Sequence, residues 1–349
     1  MNKNELFASD LKDVVNDRNI DFKLLENKTI LITGATGLIA YTLINSLIFS
    51  EKNIIILALV RDMDKAKKMY ADVLSDDLNF IVGDVCDPIK YDETVDYIIH
   101  GASVTSSQAF VEQPIETIFT AINGTKNILD FAVEKDVKSF IYLSSMEVYG
   151  TPNNDDKISE NHSTDINTMD IRASYPESKR MCESICNSYY HQKNVPTKVL
   201  RLTQTFGAGV AYADSRVFAE FARCAIEEKD ITLKTKGDTK RSYLYTSDCA
   251  RAILIALLKG QNGQAYNVAN EETYCSIYEM ASLVAEKCTN NKISVNFEIA
   301  EDISKLGYAN TLHMNLDTQK IRSLGWESST NLEQMFTNLC EIMKENNNT

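Results

Sequence analysis

The sequence predicts an α/β fold, a doubly wound parallel sheet with a smaller C-terminal α/β substrate lobe. Three observations carry this. Short, continuous apolar runs alternate with helical stretches as far as Leu202, the pattern of a parallel sheet covered on both faces. A glycine turn, "TGATGLIA", leads from the first apolar run straight into a helix. Beyond Leu202 the strict alternation breaks down, which marks a second lobe built from non-contiguous pieces.

The elements follow in order. Residues 1–26 read as a helical extension. "KTILITGATGLIAYTLINSLIFS" is a buried strand, a turn and a helix. "NIIILALV", "LNFIVGD", "VDYIIHGAS", "SFIYLSS" and "TKVLRLTQTFG" supply the second to sixth strands. Between them, "ETIFTAINGTKNILDFAVEK" has the i, i+3, i+4 apolar spacing of a helix. The division expected is a dinucleotide-binding domain over 27–202 plus about 236–260, and a substrate lobe over about 203–235 plus 261–349.

Composition narrows the function. The net charge is -13 and no lysine or arginine run stands out, so neither nucleic acid nor an anionic membrane is an expected partner. The N-terminal stretch is polar and acidic, unlike a signal peptide. The longest apolar runs are too short to span a bilayer. A cytoplasmic protein is expected. Eight cysteines lie scattered without a C-x-x-C, and four histidines have no metal spacing. Reduced thiols filling the core, and no metal, are the expectation.

Gly34 and Gly37 directly follow the first strand and open a helix. Backbone N–H groups there, with the helix dipole, suit a pyrophosphate. Gly34 permits the tight turn, Gly37 allows close phosphate approach, and Ala40 is small enough for helix–sheet packing. The third strand ends at Asp84 and Val85, where such folds meet the adenine. At the tip of the second strand stand Val60, Arg61 and Asp62. An acid at the tip would favour NAD. Arg61 suits a 2′-phosphate, so NADP(H) is slightly preferred over NAD(H). The other reading of Arg61 is an exposed side chain paired with Asp62.

"SYPESKR" places Tyr175 and Lys179 four residues apart, on one face of a helix start. A phenol with its pKa near 10 is a poor base at neutrality. A neighbouring ammonium and a positive nicotinamide favour the phenolate. The phenol can then exchange a proton with a substrate oxygen while hydride moves to or from the nicotinamide. Ser145, at the end of the fifth strand, can hold the same oxygen.

These motifs, in order with "GDVCD", "NGTKNILDFA", "SSMEVYG", "GDTKRSYLYTSDCARAI", "AYNVAN" and "LGWESS", resemble the extended short-chain dehydrogenase/reductases. That is the Rossmann-like NAD-dependent epimerase/dehydratase family, and the resemblance runs from about Lys28 to about Lys344. It implies Tyr175 as acid/base, Lys179 on the nicotinamide ribose and Ser145 as the catalytic hydroxyl. It implies a cofactor turn of Gly34, Ala35, Thr36, Gly37, Leu38 and Ile39, with Ala102 and Ser103 along the cofactor and Asn123 supporting the site from a helix. It further implies a nucleotide-linked sugar as substrate, Arg241 in "GDTKRSY" gripping its diphosphate, and a homodimer. A solvated strand charge is the alternative for Arg241.

The chain departs from the family at telling places. Sugar 4,6-dehydratases carry Asp and Glu after the catalytic hydroxyl; here stand Met146 and Glu147. A thioether donates no proton, so dehydration is disfavoured, while Glu147 could orient a hydroxyl or act as a base. Uronate decarboxylases add an arginine in the C-terminal lobe. The matching stretch, "IAEDISKLGYANTLHM", has none, and Lys305 is its sole lysine. Gln204 replaces the usual Asn, which together with Met146 points to an altered substrate pocket. The leading expectation is reduction of a keto group on a nucleotide-linked sugar or ketose, for example CDP-linked, in making surface polysaccharide precursors. An NAD-dependent epimerase stands close behind. A dehydratase or decarboxylase comes next, and a dinucleotide-binding redox sensor is the non-enzymatic alternative.

Overall fold

A computed structural model describes residues 3–299 and 311–347. Its strands are β1 (Lys28–Thr33), β2 (Ile54–Val60), β3 (Leu78–Val82), β4 (Tyr97–His100), β5 (Ser139–Ser145), β6 (Thr197–Leu202), β7 (Gln204–Phe206), β8 (Ile231–Leu233), β9 (Lys240–Tyr245), β10 (Gln264–Val268), β11 (Asn270–Ser276), β12 (Val295–Phe297) and β13 (His313–Met314). Its helices are α1 (Lys3–Val15), α2 (Leu38–Phe49), α3 (Met63–Met69), α4 (Ser107–Glu112), α5 (Pro114–Lys135), α6 (Ser174–Lys193), α7 (Val217–Ile226), α8 (Thr246–Lys259), α9 (Ile277–Leu283), α10 (Gln319–Arg322) and α11 (Leu332–Asn347).

The six predicted apolar runs form a parallel sheet, with β10 as a seventh strand, in the order β10-β6-β5-β4-β1-β2-β3. On one face Ile30 and Ile32 of β1 pack with Leu43, Ile44 and Leu47 of α2 and with Ile253 and Leu254 of α8. On the other, Leu31 packs with Ile128 and Leu129 of α5 and Cys182 and Cys186 of α6. Burial on both faces is why these strands lack polar alternation. The chain steps from β1 out to β2 and β3, then back across to β4 on the other side of β1. That reversal opens a crevice at the carboxyl ends of β1 and β4, where ligands of such sheets bind.

β9 pairs with β11, β13 and β7 in a second sheet, and β8 pairs with β12. Phe206, Phe218, Tyr243 and Phe336 fill this lobe, with the rings of Phe206 and Phe218 stacked at 4.6 Å. The division differs here from the one expected from sequence. β9, expected with the dinucleotide-binding domain, belongs to the second sheet, and β10, expected in the substrate lobe, pairs along β6. The cause is physical: a five-residue strand joins whichever edge its neighbours leave open, and no local pattern records that edge.

The N-terminal extension is α1, which bridges the two parts. Leu11 and Val14 are buried, the Phe7 ring stacks on Tyr41 of α2 at 5.1 Å, and the Tyr245 hydroxyl donates to Asp10 at 3.0 Å. Asn338 of α11 donates in turn to the Tyr245 hydroxyl.

Candidate active site

The turn between β1 and α2 begins at Gly34, with φ +70°. Its carbonyl accepts from the Gly37 amide at 2.8 Å, which tightens the turn onto the helix start. A Cβ on Gly34 would lie 2.9 Å from the backbone of Gly101 and Ala102 at the end of β4. Backbone meets backbone there, so neither can yield. Gly34→Ala is expected to cost about 1–3 kcal/mol in strain and to cut dinucleotide affinity roughly tenfold or more. Calorimetric titration with NAD⁺ and NADP⁺ checks it.

Behind the turn, the buried Tyr70 hydroxyl donates to the Ala35 carbonyl at 2.6 Å. The Tyr70 ring sits between Tyr41 and Phe80, at 5.8 and 6.0 Å. Thr36, Leu38 and Ile39 carry the turn into α2. Thr33 Oγ1 accepts from the amides of Gly101 and Ala102 at 3.2 and 3.1 Å, and lies 2.7 Å from His100 Nδ1. With both amides donating to it, the hydroxyl has its proton left for Nδ1, so the Nε2–H of His100 points to Thr125 Oγ1 at 3.2 Å. Burial holds the His100 pKa down at about 3. A neutral imidazole therefore pins β4 to β1 beneath Ala102 and Ser103.

Asp84 caps its own turn by accepting from the Cys86 amide at 2.9 Å. Val85 packs onto α5, where Gly124 leaves room for it. Asn123, the preceding residue, is exposed on α5. Arg61 does not pair with Asp62. Asp62 accepts from the Lys65 amide as the N-cap of α3, because a carboxylate at a helix start gains a backbone donor. The Arg61 side chain, 81% exposed, reaches Asp84 at 4.0 Å.

The helix α6 presents Tyr175, Lys179, Cys182 and Cys186 to the sheet. Pro176 sits in its first turn, where a missing N–H breaks no intrahelical bond. Lys179 is 3% exposed. Its ammonium donates to the Leu143 carbonyl at 2.8 Å and lies 5.8 Å from the Tyr175 ring. Burial pushes the Lys179 pKa down to about 8, so it is still cationic at neutral pH. Burial pushes the Tyr175 phenol well up; the Glu147 carboxylate adds to this, while a hydrogen bond with Ser145 and the charge of Arg172 oppose it. Ser145 Oγ also accepts from the Glu147 amide at 3.2 Å. Tyr175, Lys179 and Ser145 thus meet at the carboxyl end of β5.

Sequence reasoning missed four contributors. Arg172 binds Glu147 at 2.8 Å, Phe110 stacks on Tyr175, Tyr70 holds Ala35, and Glu183 ties Ser144 at 2.6 Å and Arg201 at 2.7 Å. Arg172 and Glu183 flank "SYPESKRMC" and could have been found from that closeness. Phe110 and Tyr70 carry no such mark.

The candidate substrate residues spread wider. Met146 is buried, packed with Val148, Tyr149, Met314 and Leu316, and its sulfur accepts from Thr203 Oγ1 at 3.3 Å. Gln204 opens β7, half-buried opposite Tyr243. Arg241 lies on β9, half-buried, and its Nε is buried without a partner among the described residues. A buried guanidinium edge without an acceptor is costly unless an anion completes it. Lys305 lies outside the described residues.

A glycine turn at a helix start, a sheet crevice and a Tyr–Lys–Ser cluster define a dinucleotide-dependent enzyme of the Rossmann class. Residues 30–269 match the NAD dependent epimerase/dehydratase family, and the chain belongs to that family. It is 28% identical to UDP-glucuronic acid decarboxylase 1 of Xenopus tropicalis over 88% of this chain and 70% of the relative. It is 26% identical to human dTDP-D-glucose 4,6-dehydratase over 91% of each. Its fold matches that of UDP-glucuronic acid 4-epimerase from Bacillus cereus in complex with NAD, with a TM-score of 0.74, 19% identity, and coverage of 91% and 99% of the two chains. Among the described residues no helix is long and apolar enough to cross a membrane.

Proposed function

We propose that the chain moves hydride between a nicotinamide dinucleotide and one carbon of a nucleotide-linked sugar, with Tyr175 as the proton carrier. The observation that carries this reading is the meeting of Tyr175 with Ser145 and Lys179 at the carboxyl end of β5, on the same edge of the sheet as the glycine turn and with β4 between. The residues fit the dinucleotide: the turn is stripped of side chains at Gly34 and aims the start of α2 at the crevice. The bound nicotinamide supplies the hydride donor or acceptor. Ser145 orients the substrate oxygen, Tyr175 exchanges its proton, and Lys179 holds positive charge beneath the phenol. Arg241, with its unpartnered edge, fits the diphosphate. Elimination chemistry is disfavoured, because Met146 donates no proton and Glu147 is bound to Arg172.

The net reaction we favour is reduction of a keto group with NADP(H). Arg61 supports it, since among the described residues its exposed guanidinium is held by no more than a 4.0 Å contact to Asp84. An epimerase that retains NAD is the second reading, favoured by the likeness to an epimerase bound to NAD. Ile115 and Phe119 on α5 and Met181 on α6, all exposed, support a second copy of the chain packing on these helices.

The cofactor that survives purification separates the two readings, and Arg61→Ala tests the first. It is expected to weaken NADP(H) by roughly 1–2 kcal/mol, less in high salt, and to leave NAD(H) nearly unchanged, because a phosphate is the partner only in NADP. Equal NADPH affinity in the two proteins, titrated at two salt concentrations, sinks the NADP assignment.

A further inference from the structure

We propose that Arg172 is a positioning residue for Tyr175: pinned by Glu147 and layered against Phe110, it sets the charge balance at the phenol. The inference rests on the reading of Tyr175 as proton carrier.

Phe110 links the phenol to the guanidinium. The rings of Tyr175 and Phe110 are stacked, with centroids 4.2 Å apart and planes at 10°. The Arg172 guanidinium covers Phe110 at 5.6 Å. The Ser174 hydroxyl donates to the Phe110 carbonyl at 2.9 Å, which locks α4 to the start of α6. Glu147 clamps Arg172 through two oxygens, at 2.8 and 3.5 Å. Arg172 Nε is buried without a partner among the described residues, so the guanidinium depends on this carboxylate for its place. Ser145, which caps the turn carrying Glu147 by accepting from its amide at 3.2 Å, also acts on the phenol.

The groups that face the phenol are few. Lys179 comes from its own helix, Tyr142 from β5, Glu147 from the turn after β5, and Arg172 from the turn before α6. Asp170 acts on Arg172 from that same turn. Burial raises the phenol most; beside it Glu147 raises and Arg172 lowers it, so the two charges oppose one another. Separately, each would move it in opposite directions.

The test uses the full chain saturated with NAD⁺ and follows tyrosinate absorbance against pH. The step missing from Tyr175→Phe is the Tyr175 phenol. Arg172→Met leaves Glu147 uncompensated and should move that step up, on the order of one pH unit. Glu147→Gln leaves Arg172 uncompensated and should move it down by a similar amount. The double variant should return near the starting value, and Arg172→Lys should restore most of it. A purely packing role would shift both single variants the same way or neither, and either result overturns the inference. If Arg172→Met fails to fold, the near-isosteric Glu147→Gln decides alone, and an unmoved step overturns it. A Tyr175 step that exists but never moves sinks this inference and leaves the proposed function standing. No Tyr175 step below the pH at which the chain unfolds overturns this inference, since the pair then does not set the phenol's charge, and leaves the proposed function to the turnover of Tyr175→Phe.

Discussion

Tyr175→Phe is expected to remove all but about a hundredth to a ten-thousandth of turnover, the usual worth of a positioned acid–base group. Cofactor affinity should change little. The ring remains to stack on Phe110 at the same face, and Lys179 keeps its anchor on the Leu143 carbonyl. The substitution removes only the hydroxyl, to which the proposed mechanism assigns the proton transfer. Single-turnover measurements with chemistry rate-limiting are needed, because slow product release would mask the step. A variant retaining more than about a tenth of wild-type turnover under those conditions contradicts the assignment. Lys179→Met should behave differently and weaken the dinucleotide as well, since it removes a cation from the floor of the site.

Arg241→Ala should carry the next largest effect, a loss of about 1.5–3 kcal/mol in binding a nucleoside diphosphate. The guanidinium has a buried edge with no acceptor among the described residues. Its desolvation is therefore already part of the folded state, and a phosphate would supply the missing acceptor. Calorimetric titration with UDP, CDP and dTDP reads the effect, and the parent nucleosides serve as the control. An equal loss for nucleoside and diphosphate would show that Arg241 supports the lobe and does not grip phosphate. Affinity for NAD(P) should stay nearly constant, because β9 belongs to the second sheet.

Much of the fold was legible because parallel strands buried on both faces must be apolar throughout. "KTILIT" and "SFIYLSS" could hardly be anything else. The glycine turn was legible for a similar reason: Gly34 has a backbone conformation and a neighbouring strand that exclude a side chain. The spacing of Tyr175 and Lys179 was legible because one helical turn fixes which face they share. What stayed hidden was decided by partners far along the chain. β10 is a short strand that takes its place from the open edge of β6. Arg61 stood beside Asp62 in sequence, but the N-cap of α3 claimed that carboxylate. Phe110 reaches Tyr175 across 65 positions, a contact no local spacing encodes. Arg172 stood three residues before Tyr175 in plain view, but its bond to Glu147 depends on how two turns close on each other.

The extension α1 bears on the order in which this protein can be completed. Its buried Asp10 meets Tyr245, and Tyr245 in turn meets Asn338 of α11. Phe7 of α1 thus meets a near neighbour, Tyr41 of α2, while Asp10 finds its partner 235 positions further along the chain. Before β9 and α11 are in place α1 has only part of its surface covered, by α2, and a short isolated helix is marginal in water. The parallel sheet can assemble strand by strand in the meantime, but the step that fastens both lobes together waits for α11. Long-range closure of this kind is slow and leaves apolar surface open while it is pending. Weakening α1 should therefore lower the yield of folded protein more than the stability of molecules that have already closed.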